Sequence, residues 1–240
     1  MRTILGVLAL AAVASTAGAQ GGGGMPGMNM DPTKNTKQQG PLPAGWMGRT
    51  DRPSQKLEDA YFTTMGSGMH ITTGPAVTLW NPANTASGTY TISATFAARS
   101  VPLHDAYGLF WGGTDVSDST KVSYAYFLAY GNGNFTVKHR AGGNSRTVRA
   151  PGGMGDVHIV IDSTPNAAIN KAMKDGALAD GGSASNTLEV RVAADSVRFV
   201  VNGKQVAAVD AKSPLMPNAG VYGLRVNHNI DTHIANFSKK

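Results

Sequence analysis

The 240-residue chain contains no cysteine. This excludes disulfides, thiolate metal sites and cysteine nucleophiles, and also lipid attachment through a cysteine. A chain of this length can bury one ordinary core without cross-links. Apolar runs long enough to span a bilayer are absent, and so is any fixed-period repeat. Helical signal is scarce: only Asn166 to Lys174, followed by Gly176, reads as a short helix, set in a connecting excursion that continues into the Gly/Ser-rich segment from Gly181 to Ser185. Charged residues are only 15% of the chain, and its basic residues are scattered from Arg49 to Arg225 rather than gathered in a stripe. That argues against nucleic acid as a partner. The net charge of +6, or +5 once Arg2 leaves with the leader described next, implies a weak preference for anionic surfaces.

The first residues have the form of a cleavable leader. Arg2 is followed by an apolar run from Ile4 to Val13 and by Ala17-Gly18-Ala19, which places cleavage before Gln20. Residues 1–19 are therefore expected to be a signal peptide, the product to be secreted or periplasmic, and the mature chain to have no transmembrane segment. Residues 20–45 read as a flexible Gly/Met/Pro-rich linker. It holds Gly21 to Gly24 and then Met25, Met28 and Met30, with too little apolar surface to offset its ordering entropy. The three methionines suit a soft metal ion such as Cu(I), but no histidine lies near to complete a site.

From Trp46 onward, short strand-like runs alternate with turn residues. Thr89 to Phe96 places Tyr90, Ile92, Ala94 and Phe96 on one face. Ser123 to Tyr130 and Asn134 to Arg140 flank Gly131-Asn132-Gly133, a hairpin pattern; Asn202-Gly203 is a stronger one, since both residues tolerate positive φ. Leu188, Val190 and Val192 alternate with Glu189 and Arg191, and two further strands are expected over Gly220 to Asn227 and Thr232 to Phe237. Many short strands and 30 glycines predict an all-β sandwich or barrel.

The runs Asn186-Thr187-Leu188-Glu189-Val190, Val197-Arg198-Phe199-Val200-Val201-Asn202-Gly203, Gly220-Val221-Tyr222-Gly223-Leu224-Arg225-Val226 and Ile234-Ala235-Asn236-Phe237 resemble the concanavalin A-like jelly-roll superfamily, as does Tyr107 to Gly113. Within it the chain looks most like laminin-G-like domains and the exported 3-keto-disaccharide hydrolase type, over roughly residues 57 to 240. The resemblance implies a jelly-roll β-sandwich of two antiparallel sheets over residues 46–240, and a glycan or oligosaccharide as partner. Glycan binding, hydrolysis and pure adhesion all occur on this scaffold. The chain departs from the superfamily's glycanases in lacking closely spaced acidic residues on one strand. Glu58 and Glu189 are the only glutamates, and Asp115 and Asp118 fall in a loop, whereas glycoside hydrolysis generally takes two carboxylates across the bond.

The period of two groups Tyr124, Tyr126 and Tyr130 opposite Phe127, sets Lys138 and Arg140 opposite Phe135 and Val137, and sets Arg225 and Asn227 opposite Leu224 and Val226. With the aliphatic faces inward, these seven residues are expected on a concave outer face, where tyrosines stack on sugar rings and cations and amides bind hydroxyls. On that reading the domain binds a glycan without catalysis. Two alternatives stay open. One is a hydrolase or lyase of the 3-keto-disaccharide type, with a His228/His104 pair as acid and base and Arg225 stabilising charge. The other is a structural envelope protein without a small ligand. No cofactor is demanded; a calcium ion held by loop carbonyls with Asp105 or Asp115 is one option. Trp80 and Trp111 read as core or rim rather than ligand platforms.

Overall fold

A computed structural model describes residues 40–101, 104–142, 156–171 and 184–240. Its strands are β1 (Met47–Thr50), β2 (Ala60–Met65), β3 (Gly68–Thr73), β4 (Val77–Ser87), β5 (Tyr90–Ser100), β6 (Ala106–Thr114), β7 (Ser123–Tyr130), β8 (Asn134–Ala141), β9 (Asp156–Pro165), β10 (Ala184–Val192), β11 (Ser196–Val201), β12 (Lys204–Asp210), β13 (Ala219–Val226) and β14 (Asp231–Lys239). They form two antiparallel seven-stranded sheets. The first runs β1-β4-β13-β6-β7-β8-β9 and the second β12-β11-β10-β5-β14-β3-β2. The expected all-β jelly-roll sandwich is the observed fold. Among the described residues no helix is long and apolar enough to cross a membrane.

Alternation builds the core as the sequence foretold. Ile92, Ala94 and Phe96 of β5 and Leu188, Val190 and Val192 of β10 point inward from the second sheet, and Leu109, Trp111, Phe127 and Val137 meet them from the first. The two layers are joined by aromatic contacts. Phe199 of β11 lies 5.7 Å from Trp111 and 5.1 Å from Phe127, ring centre to ring centre. Trp111 is fully buried and donates its indole N–H to the Pro217 carbonyl at 3.1 Å. Asn202 and Gly203 close the β11–β12 hairpin with φ of 50° and 78°, the pair of positive angles a two-residue turn of this hand requires.

Two expectations change. Residues 166–171 form turns, not the start of a helix. Asparagine side chains take over the backbone groups a helix would use: Asn166 Oδ1 accepts the Ala168 N–H, Asn202 donates to the Ala168 carbonyl, and Asn186 Oδ1 accepts the Asn170 N–H. Ile169 meanwhile inserts into the core. The second change is at the linker. Of residues 20–45, those from 40 are described, and Leu42 packs against the core, so packing begins before Trp46. The leader, Met25, Met28 and Met30 lie outside the described residues.

Candidate functional site

The first sheet is apolar on both faces. Inward go Ala125, Phe127 and Ala129 of β7; outward go Tyr124, Tyr126 and Leu128, which with Trp80, Phe110 and Val122 form a second buried cluster on the outer face. Trp80 is thus core, like Trp111. Register places Tyr124 beside Arg140, Tyr126 beside Lys138, and Arg225 beside Gly108, with Leu128 next across. The seven candidate ligand contacts therefore do share one face.

Four of them, Tyr124, Tyr126, Arg140 and Arg225, are buried. The segment after β1 turns across this face and carries Asp51 over it. Arg140 Nη1 donates to Asp51 Oδ1 at 2.7 Å. Arg225 grips both carboxylate oxygens, Nη1 to Oδ1 at 2.8 Å and Nη2 to Oδ2 at 2.5 Å. Arg225 Nη1 also donates to Thr78 Oγ1 at 3.0 Å, and both guanidiniums reach the Tyr124 hydroxyl at 3.4 Å. Arg140 is 3% exposed, Arg225 7% and Asp51 4%. The expected solvated Arg140, Arg225, Tyr124 and Tyr126 are instead buried: the rings pack in the outer apolar cluster, and a cation on an apolar outer face is stable only when paired. Burial opposes ionisation of Asp51, but the two guanidiniums outweigh it and hold its carboxyl well below the usual carboxylate range. No local pattern in the sequence links Asp51 to Arg140, 89 residues on, or to Arg225, 174 residues on.

Beside this cluster opens a groove of about 300 Å³. It is lined by Asp51, Arg52, Tyr126, Leu128, Tyr130, Lys138, Val157, Ile159, Arg225, Asn227 and His228. That is the small end of the usual range for ligand sites, about 300–1,000 Å³. Five of the seven predicted contacts are here: Tyr126, Tyr130, Lys138, Arg225 and Asn227. Arg225 forms part of the floor, its guanidinium carbon 5.1 Å from the Tyr126 ring centre. Tyr130 and Lys138 are partly exposed, and Ile159 is 53% exposed. Burial pushes the Tyr126 and Tyr130 hydroxyls up, keeping both neutral donors at ordinary pH. A second cavity, of about 240 Å³, is lined mainly by apolar residues such as Trp46, Met69 and Phe237, and among the described residues no charged group lines it.

His228 stands at the rim of the groove, its Nδ1 3.3 Å from Asp105 Oδ1. The structure pairs it with Asp105, not with His104, which is exposed and makes no hydrogen bond among the described residues. Neither glutamate lines the groove. Glu58 is exposed, and Glu189, on the second sheet, pairs with Arg191 at 2.7 Å. Asp118 caps its own turn, accepting from Thr120. Among the described residues no three or more histidine or acidic side chains gather as a metal site.

This is the concanavalin A-like jelly-roll fold. Solved structures similar to the chain include the carbohydrate-binding module CBM66 from Bacillus subtilis, with TM-score 0.52, 12% identity, and 82% of this chain and 95% of that one covered. A GH16 protein of a Bacteroides ovatus mixed-linkage glucan locus gives 0.52 at 8% identity, covering 88% and 97%. A glycoside hydrolase family 16 endo-glucanase from Bacteroides ovatus gives 0.51 at 8%, covering 79% and 92%. At such identities the likeness is one of fold. No family model matches the chain, and no curated protein matches it in sequence.

Proposed function

We propose that this chain is an exported, non-catalytic glycan-binding domain whose ligand sits in the groove on the outer face of the first sheet. The convergence of Tyr126, Tyr130, Lys138, Arg225, Asn227 and His228 on one small depression carries this reading. Aromatic rings offer an apolar platform, while cations and amides supply the directional bonds that hydroxyl-rich ligands need. The fold's company supports it, since similar structures are a carbohydrate-binding module and glycan hydrolases. Export is supported by the leader-like Arg2, the apolar run from Ile4 and the Ala17-Gly18-Ala19 site.

The non-catalytic part rests on charge. The carboxylate lining the groove, Asp51, is neutralised by two arginines, so among the described residues no facing pair of free carboxylates is at hand for glycoside cleavage. A glycan array followed by calorimetry tests the proposal. Tyr130→Ala and Lys138→Ala, both partly exposed, are each expected to weaken binding about tenfold or more while the domain stays folded. Absence of binding to any glycan overturns it and leaves the structural envelope reading.

The His228–Asp105 pair favours a second reading, a hydrolase or lyase acting on 3-keto-sugars, with His228 as the acid or base. Product formation from a 3-keto-glucoside, lost in His228→Ala, is the result that reading requires; no product with or without divalent metal removes it.

A further inference from the structure

We infer that the sugar this groove selects is anionic, bearing a carboxylate or sulfate group; this rests on the glycan-binding reading above. The argument is the balance of charge around the groove. Arg52, Lys138 and Arg225 line it and Arg140 lies just beneath, while Asp51 is the one carboxylate in its wall among the described residues. Asp51 is shared between Arg140 and Arg225. Arg52 and Lys138 therefore have no carboxylate of their own, and neither makes a salt bridge among the described residues. Of the other acidic groups nearby, Asp105 faces His228, and Asp162 of β9 is an exposed group whose charge partly offsets the effect of burial on Lys138 without forming an ion pair with it.

Lys138 also sits where a free ammonium is costly. It is half-buried, between Tyr126 across β7 and Ile159 across β9, and burial lowers its pKa from the ordinary value. A half-buried cation with no ion-pair partner in an aromatic-walled groove is a surplus that a bound anion cancels. A neutral sugar leaves it uncancelled.

The test compares oligogalacturonate with its full methyl ester, which keeps the sugar backbone and removes the charge, and adds a sulfated dextran against plain dextran. Binding is measured by calorimetry at two salt concentrations with the wild type, Lys138→Gln, Arg52→Gln and, as a control for general attraction to a basic protein, Lys204→Gln on the exposed β12. The expected result is that one charged member of a pair binds at least about tenfold tighter than its neutral partner. Lys138→Gln and Arg52→Gln should erase that preference, Lys204→Gln should keep it, and which pair responds tells carboxylate from sulfate. Equal affinity for charged and neutral partners overturns the inference while the glycan reading stands, as does selective binding of a neutral array glycan through Tyr130. Loss of the preference in Lys204→Gln to the same extent overturns it as well, by showing mere polyanion attraction. Failure of every glycan to bind overturns both.

Discussion

Replacing Asp51 by Asn removes one negative charge and almost no volume, and it leaves Arg140 and Arg225 buried over the first sheet with no carboxylate between them. Each arginine is 7% exposed or less, and each directs charged donors at Asp51. Breaking a buried ion pair by removing one partner costs about 3–5 kcal/mol, since the remaining charge stays desolvated. For a domain of this size each kcal/mol is about 2–4 °C in Tm, so Asp51→Asn should melt about 6–20 °C lower. Urea unfolding followed by fluorescence, with Trp80 and Trp111 both buried as reporters, measures the loss directly. A companion variant with Asp51, Arg140 and Arg225 all replaced by Leu or Met should regain most of it, because apolar residues of similar volume can replace a buried ion cluster at little cost. A loss below about 1 kcal/mol in Asp51→Asn would refute the reasoning, by showing that water reaches the guanidiniums.

The same cluster sets a pH dependence. An unfolded aspartate titrates near pH 3.9, whereas native Asp51 stays ionised well below that. Its contribution is whole above about pH 5 and shrinks as the medium is acidified, because the unfolded chain takes up a proton that the native chain refuses. The stability gap between wild type and Asp51→Asn should therefore be widest at pH 6 and about 1 kcal/mol smaller at pH 3, closing further only as the pH falls towards the native pKa; a constant gap contradicts the assignment.

Asn186→Ala should cost at least about 2 kcal/mol in equilibrium unfolding, since fully buried Asn186 bonds the Tyr107 hydroxyl, the backbone of Asn170 and the Asn202 amide. Gly203→Val places a β-branched residue at φ 78° in the β11–β12 turn and should cost about 1–2 kcal/mol in the same assay. The binding losses of Tyr130→Ala and Lys138→Ala should come with the domain still folded, Tyr130→Ala giving up some packing against the outer cluster.

Much of the fold could be read from period alone. β5 and β10 carry their alternation openly, and the Asn202-Gly203 turn announces itself, because each rests on contacts within a few residues or on an immediate partner strand. The groove was half legible. Tyr126, Tyr130, Lys138, Arg225 and Asn227 follow from counting by two. What could not be read is which outward residues the rest of the chain covers. Whether Arg140 meets water or Asp51 depends on a loop from the far edge strand β1, and sheet periodicity is silent about loops. The turn at residues 166–171 failed for a related reason. Its alanines favour helix locally, but Asn186 and Asn202, contributed by β10 and the β11–β12 turn, claim its backbone.

The Asp51 cluster also bears on the choice between holding a sugar and cleaving it. A general acid or base works best with a pKa near the working pH, and two guanidiniums place Asp51 far from that range. Those pairs do suit another task. They fix Arg225, and through it Tyr126, in position before any ligand arrives, so little side-chain freedom remains to be lost on binding. Lys138 and Tyr130, left partly exposed above that fixed floor, are the groups with freedom to meet a ligand. A rigid, cationic floor below adaptable walls supports recognition over chemistry, and makes the His228–Asp105 pair at the rim the place where a catalytic reading has to prove itself.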